Sequence, residues 1–370
     1  MPLFSHRFMP ASASSLGSTV DLTVQEVEDA GLREVLQTPG VALGNWGLLN
    51  ALLHPGSSHF LFHAPLGQAR EVKTAVSGLF GRFVARAYAT RYLGYSRFVH
   101  VTKPPMTLTG TINGILRRTP GITSGDMPDW VTWGAGVGLG IVEAKGCHDR
   151  SNPAKALERA RRQAERAEIA VGSRPATFKR YAIATRWGYA TPSYTQPMLW
   201  VHDPAEKGKE SPEEAEALAL GVARLHAARL LDPLGYKELA DQLRVLVRDT
   251  FPANRGRRQK SARDLLESAP TFSLDDIDGT EGEHLLGAVI VRGSKLAPAD
   301  LSPVDRDTLL RLELNPTFVG IDVQEIKRLI DGDLVVPDTA SDDRRRSVGD
   351  DGAGGRIIRL GQDSGAVRLT

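Results

Sequence analysis

The sequence predicts an α/β protein with a mixed central sheet flanked by helices, followed by a mainly helical C-terminal accessory region. Two observations carry this. Between residues 67 and 202 the hydrophobic period switches repeatedly, giving a helix, three strands, a second helix and two more strands. Beyond the charged, Pro- and Gly-containing stretch DPAEKGKESPEE, residues 203–214, helical periodicity takes over. With 370 residues, 41% of them apolar, the chain has ample material for a core. Its one cysteine, Cys147, excludes an intrachain disulfide and any multi-cysteine zinc site, and fits a reducing compartment. No apolar run approaches the roughly 18 residues of a membrane span. The first eighteen residues lack the clean apolar core of a secretion signal, so a cytoplasmic location is expected.

Each element has its own reason. Residues 1–20 are Ser-, Ala- and Pro-rich, which predicts a flexible start. Residues 24–36 (VQEVEDAGLREVL) and 45–54 read as short amphipathic helices. Residues 67–93 form a long helix with Val72, Val76, Leu79, Phe80, Phe83, Val84, Ala87 and Tyr88 along one stripe. Residues 97–102 (RFVHVT), 129–133 (DWVTW) and 139–145 (LGIVEAK) are strand-like, the last two joined by GAGVGLG. A helix is expected over 153–171, with Asn152 as N-cap and Pro153 at the first position. Residues 180–185 and 198–202 complete the strands. Together 21–205 make one domain with an N-terminal helical extension. In the accessory region, 212–338, helices are expected over 212–231, 235–250, 305–312 and 323–330, a strand over 285–292 and a basic loop, NRGRRQKSAR, over 254–263. The Asp-, Arg- and Gly-rich end, 339–370, reads as a flexible tail.

The net charge of +2 names no partner, but its distribution is uneven. From residue 67 to 118 there are nine lysines and arginines, among them Arg82, Arg86, Arg91, Arg117 and Arg118, against one acid, Glu71, a local charge of +8. Such a run is either a footprint for a polyanion or a solvated helix face plus a basic loop.

The glycine run at 134–140 is not a phosphate cradle. Its glycines alternate, missing G-x-G-x-x-G, and they lead into the β-branched Ile141-Val142 instead of a helix. It reads as a strand-to-strand turn, which makes the two flanking segments neighbours. The period of two then puts Glu143 and Lys145 on one face, beside Asp129 of the partner strand. Two carboxylates and an ammonium converging there are poor packing but a sensible divalent-ion site.

Pro128-Asp129, thirteen intervening residues, and Glu143-Ala144-Lys145 resemble the PD-(D/E)xK motif of the restriction-endonuclease-like nuclease superfamily, and the surrounding element order resembles that family's core over residues 67–202. The resemblance implies Asp129 and Glu143 as Mg²⁺ (or Mn²⁺) ligands, the Ala144 carbonyl as a further ligand, and Lys145 as the group that orients the attacking water and offsets charge on the phosphate. It also implies a glutamate on the preceding helix, for which Glu71 is the acid available, and a glutamine after the motif, for which Gln163 is the candidate. Gln163 is alternatively a plain surface residue. The expected function is a metal-dependent DNA endonuclease, as in the effector of an anti-phage defence system, with the arginine run contacting the nucleic-acid backbone. The C-terminal region is expected to join a partner protein or a second copy. A non-catalytic nucleic-acid-binding subunit and an RNA-processing nuclease stay open as alternatives.

Overall fold

The structure, a computed structural model, describes residues 3–10, 19–37, 60–62, 70–147, 153–190, 197–203, 211–273, 284–291, 294–296, 317–334, 356–359 and 366–368. Two compact units emerge, the first comprising Met1–Val35, Trp46–Met106 and Gly114–Ala215. Its chain runs β1 (Leu3–Pro10), β2 (Thr19–Thr23), α1 (Val24–Gln37), β3 (Leu61–Phe62), α2 (Arg70–Leu93) and β4 (Arg97–His100). After β5 (Met106–Thr109), where the chain passes into the second unit, come β6 (Gly114–Arg118), β7 (Trp130–Gly134) and β8 (Gly138–Cys147). Then follow α3 (Ala154–Ala164), β9 (Ala167–Val171), β10 (Arg174–Pro175), β11 (Lys179–Arg186), β12 (Gly188–Tyr189) and β13 (Met198–His202).

The main sheet is mixed, as expected, in the order β2-β1-β13-β11-β8-β7-β4. The β7–β8 pair is an antiparallel hairpin, with Gly134 opposite Gly138. Gly136 and Gly138 take φ of 75° and 76°, so the glycine run is a turn with left-handed positions. β8 then crosses through α3 to the parallel β11, with Glu143 beside Ala182 and Lys145 beside Ala184. Ala182 and Ala184 pack against Ala156, Leu157 and Ala160 of α3. Small residues on both sides bring α3 close to the sheet face that carries Glu143 and Lys145.

α2 covers the opposite face. A Cβ on Gly146 would overlap the Ser77 carbonyl oxygen, and one on Gly81 would lie 2.7 Å from the Gly146 backbone. Helix and strand meet there backbone to backbone. Gly146→Ala should therefore cost about 1–3 kcal/mol through overpacking, read as a lower midpoint in urea denaturation. An unchanged midpoint would mean that α2 is not seated on β8 in this way.

Three expectations for the first unit are corrected. Leu3–Pro10, expected to be flexible, is a strand paired with β2 and β13. The helix expected over 153–171 stops at Ala164, and Ala167–Val171 is a strand antiparallel to β6. The sequence AEIAV suits either state locally, and pairing with β6 decides for the strand. Residues 114–118, where no strand is expected, form β6, which with β9 and β10 makes part of a second sheet. The helix of 67–93 is described from Arg70 onward. Residues 45–54, His148 and Asn152 lie outside the described residues.

The second unit comprises Leu36–Asn45, Thr107–Asn113 and Glu216–Thr370. Its helices are α4 (Pro212–Leu234), α5 (Lys237–Arg248), α6 (Pro252–Ser268) and α7 (Val323–Asp331). It is less helical than expected. β14 (Phe272–Ser273), β15 (His284–Val291), β17 (Thr317–Asp322), β18 (Arg356–Arg359) and β19 (Ala366–Arg368) line up in that order, with β16 (Ser294–Leu296) pairing β15. Two of these strands fall in the stretch expected to be a tail. The expected basic loop at 254–263 lies within α6, and the helix expected at 305–312 lies outside the described residues. The last carbonyls of α7 accept from Arg224 (Leu329, 2.7 Å) and Gln259 (Ile330, 2.9 Å), which answers the unpaired acceptors of a helix end. Among the described residues no helix is long and apolar enough to cross a membrane.

Candidate active site

Asp129 stands just before β7, where the chain turns into the sheet; its own carbonyl accepts from Val101 N–H at 2.9 Å. Its backbone N–H donates to Glu143 Oε2 at 2.9 Å, and its Oδ2 accepts from Ala144 N–H at 2.9 Å. The two acids are thus clasped reciprocally across the β7–β8 edge. Lys145 Nζ donates to Glu143 Oε1, and Arg82 Nη2 from α2 donates to Asp129 Oδ1 at 2.5 Å. The hairpin turn, the period of two along β8 and the closeness of α2 all serve this one spot.

Glu143 is fully buried. Burial first, and then the charge of Asp129, push its carboxyl well above the ordinary value, against the pull of Lys145. Arg82 shows the reverse balance: burial opposes its charge, but Asp129, Glu34 and Glu143 together hold the guanidinium above its ordinary value. Within the cluster the two carboxylates of Asp129 and Glu143 are matched by the two cations Arg82 and Lys145.

Glu34, on α1, is the residue that sequence reasoning missed. It is 0% exposed. Its Oε2 accepts from Arg86 Nη1 at 3.3 Å and Trp130 Nε1 at 3.1 Å; its Oε1 lies 3.2 Å from His100 Nε2 and 3.7 Å from Arg82. Burial pushes the Glu34 carboxyl up, but His100, Arg86 and Arg82 outweigh it and bring it down to about 2. Arg82 therefore bridges Glu34 to Asp129, while Trp130 follows Asp129 in the chain. A signal was present: Val27, Ala30 and Glu34 repeat at helical spacing, so an acid sits on the buried face of α1.

Glu71, by contrast, is exposed near the start of α2, eleven residues before Arg82. At 1.5 Å per residue that is about 16 Å along the helix, and Glu71 does not join the cluster. The acid of a helix before β4 that approaches the cluster, through Arg82, is Glu34 of α1.

Gln163 neither faces the solvent nor touches a carboxylate. Its Nε2 donates to the Met127 carbonyl at 2.7 Å, two residues before Asp129. Arg166 donates to the Asp126 carbonyl at 3.1 Å, and Arg118 to the carbonyls of Ser124 (3.2 Å) and Gly125 (2.6 Å). Three side chains from α3, its C-terminal end and β6 thus hold the approach to Asp129 by its backbone. Gln163→Ala should lower any Asp129-dependent activity more than stability, which should fall by about 1 kcal/mol. An unchanged rate beside an unchanged melting temperature would remove Gln163 from the site.

Of the five arginines expected to contact nucleic acid, one is buried and the other four are engaged within the protein. Arg86 is 1% exposed, paired with Glu34 and set over the Phe98 ring at 4.8 Å; burial draws its guanidinium down to about 10 although Glu34 pulls the other way. Arg82 is bound to Asp129. Arg91 pairs with Glu26 at 2.8 Å, Arg117 with Glu168 at 2.8 Å, and Arg118 is spent on loop carbonyls. Four of the nine cations, Arg82, Arg86, Arg91 and Arg117, are thus met in space by acids from α1, β9 and the motif itself.

Among the described residues no group of three or more His, Cys, Asp or Glu side chains gathers to hold a metal ion. The oxygen donors that do converge are the carboxylates of Asp129 and Glu143. Ala144 adds a third: the N–H and C=O of a strand residue point to the same edge, so its carbonyl shares the Asp129 side. Two carboxylates and a carbonyl suit Mg²⁺, which keeps several waters and takes the rest of its shell from substrate. No known protein family, curated protein or solved structure matches this chain.

Proposed function

We propose that this protein is a Mg²⁺-dependent nuclease that hydrolyses phosphodiester bonds, with DNA as its substrate, on a restriction-endonuclease-like core. One observation carries the proposal: Asp129, just before β7, and Glu143 on β8 are both buried and clasped through the backbone N–H groups of Asp129 and Ala144, beside Lys145. The order α2, β4, β7, β8, α3, β11, with β8 and β11 parallel across α3, supports the fold assignment.

Asp129, Glu143 and the Ala144 carbonyl would hold Mg²⁺, which when bound would supply Lewis-acid stabilisation of the scissile phosphate and a more acidic water. The chain's own residues do the remaining work. Lys145, with its side chain 34% exposed, reaches solvent while anchored to Glu143, so its ammonium can orient the attacking water and offset charge on the phosphate. Arg82 neutralises Asp129 in the free protein and is long enough to turn toward a phosphate when the cation takes its place. Gln163 and Arg166 keep the Asp129 approach in register.

A second reading has an observation of its own. Each of the four carboxylate oxygens of Asp129 and Glu143 already receives a donor or cation from the chain, as in a structural ion cluster. Incubation with plasmid, single-stranded DNA and RNA, with Mg²⁺ and with chelator, separates the two. The nuclease reading expects Mg²⁺-dependent cleavage of DNA; no cleavage of any substrate with Mg²⁺ or Mn²⁺ leaves the structural cluster as the answer.

A further inference from the structure

The second unit carries a cationic helix that the carboxylate cluster does not use. From Pro252 to Arg263 α6 has five arginines and lysines and no acid; Asp264 is the first. Two of the five are occupied: Arg258 lies 3.5 Å from Asp249 and Arg263 2.6 Å from Asp331. Arg257 and Lys260, three residues apart and so on one face, are exposed and have no partner among the described residues. Arg248, in the last turn of α5, is exposed in the same way.

Two further features point to a ligand. Among the described residues three large hydrophobic side chains are exposed, and Phe251, 67% exposed between α5 and α6, is the only aromatic of them. Its backbone is fixed by the bond from its N–H to Asp249 Oδ1 at 3.0 Å, so the ring is presented on a held stem. Gly256 lies on the exposed face between Arg255 and Arg257, and a Cβ there would meet nothing within 4 Å. Glycine weakens a helix, and no neighbour in the chain requires it here.

We infer that Phe251 and the exposed face of α6 form a binding surface for single-stranded nucleic acid. Arg248, Arg257 and Lys260 take phosphates, Gly256 admits the sugar-phosphate backbone, and Phe251 stacks on an unpaired base. A cationic track beside an exposed aromatic ring is the chemistry of sequence-tolerant single-strand binding. A duplex keeps its bases stacked away from the ring, so only the phosphates would be held. The surface shares no residue with the carboxylate cluster and stands whether or not that cluster cleaves.

The test is equilibrium binding of the full chain, in EDTA so that nothing is cut, to a fluorescein-labelled oligothymidylate of about 30 nucleotides and to a duplex of equal length. The single strand should bind more tightly than the duplex. Arg257→Glu with Lys260→Glu should weaken it at least about tenfold and flatten the salt slope by about 1.4, because two phosphates are no longer neutralised. Phe251→Ala should weaken the single strand about fivefold or more and leave the duplex unchanged. Gly256→Ala should raise the melting temperature yet weaken binding. Absent binding by the unaltered chain, or unchanged affinity in the folded charge-reversal variant, overturns the surface. Equal affinity for duplex and single strand overturns the single-strand assignment. Because the assay needs neither Mg²⁺ nor Asp129, it can fail while cleavage is observed, and the reverse.

Discussion

Lys145→Ala is expected to lower Mg²⁺-dependent cleavage by about 10²–10³-fold, the cost of removing one preorganised donor from a charged transition state. Asp129→Asn and Glu143→Gln should fall at least as far, because each removes a carboxylate from the cation's shell. The effects differ in kind. Without Lys145 the buried Glu143 loses the cation bonded to it that pulls its carboxyl down, so protonation of Glu143 comes more easily and the Mg²⁺ requirement rises as well. A Mg²⁺ titration of cleavage therefore distinguishes a missing water-orienting group, seen as a lower plateau, from a weakened cation site, seen as a shifted midpoint. Folding should survive, since the neutral acid is tolerated where the charged one is not. Full activity in all three variants, or cleavage that persists in chelator, would end the nuclease proposal.

Glu34→Ala is expected to cost about 3–5 kcal/mol, the largest stability effect of any substitution at the site. The substitution leaves Arg86, 1% exposed, as a buried cation with no carboxylate against it, and it strips Trp130 Nε1 of its acceptor. Stability should also depend on pH in a defined direction. The Glu34 carboxyl is depressed from 4.5 to about 2 in the folded chain, so its contribution is complete above about 4.5 and is lost as pH falls toward 2. At about 1.4 kcal/mol per unit this is about 3 kcal/mol. Urea denaturation at pH 7 and pH 3 should show the unaltered chain losing stability that Glu34→Ala does not have to lose. Equal stability at neutral pH would mean that the α1–α2 ion cluster holds nothing together.

Much of the site is legible in a single stretch of chain. Asp129, the glycine turn and Glu143-Ala144-Lys145 are close in sequence, and the two-residue period of a strand is enough to aim Glu143 and Lys145 together. The partners that surround them are not close in sequence. Glu34 lies ninety-five residues before Asp129 on a helix whose amphipathic stripe contains it without marking it, and Arg82 looks the same in sequence whether it meets a phosphate or a buried aspartate. Gln163 stands out on its alanine-rich helix, but its bond to the Met127 carbonyl depends on how the loop before Asp129 is folded back.

What the sequence determined by itself is local: the strand, turn, strand and helix from 129 to 164, the single free thiol, and the mixed character of the sheet. These follow from periodicity, glycine conformation and chain-adjacent pairing, all of which act over a few residues. The tertiary structure alone decided that Ala167–Val171 is a strand, that Arg86 is buried and that Glu34 joins the cluster. The physical reason is the same in each case. Pairing, burial and charge compensation are properties of neighbours in space, and a count of charges along residues 67–118 cannot see the acids of α1 and β9 that pair with Arg82, Arg86, Arg91 and Arg117.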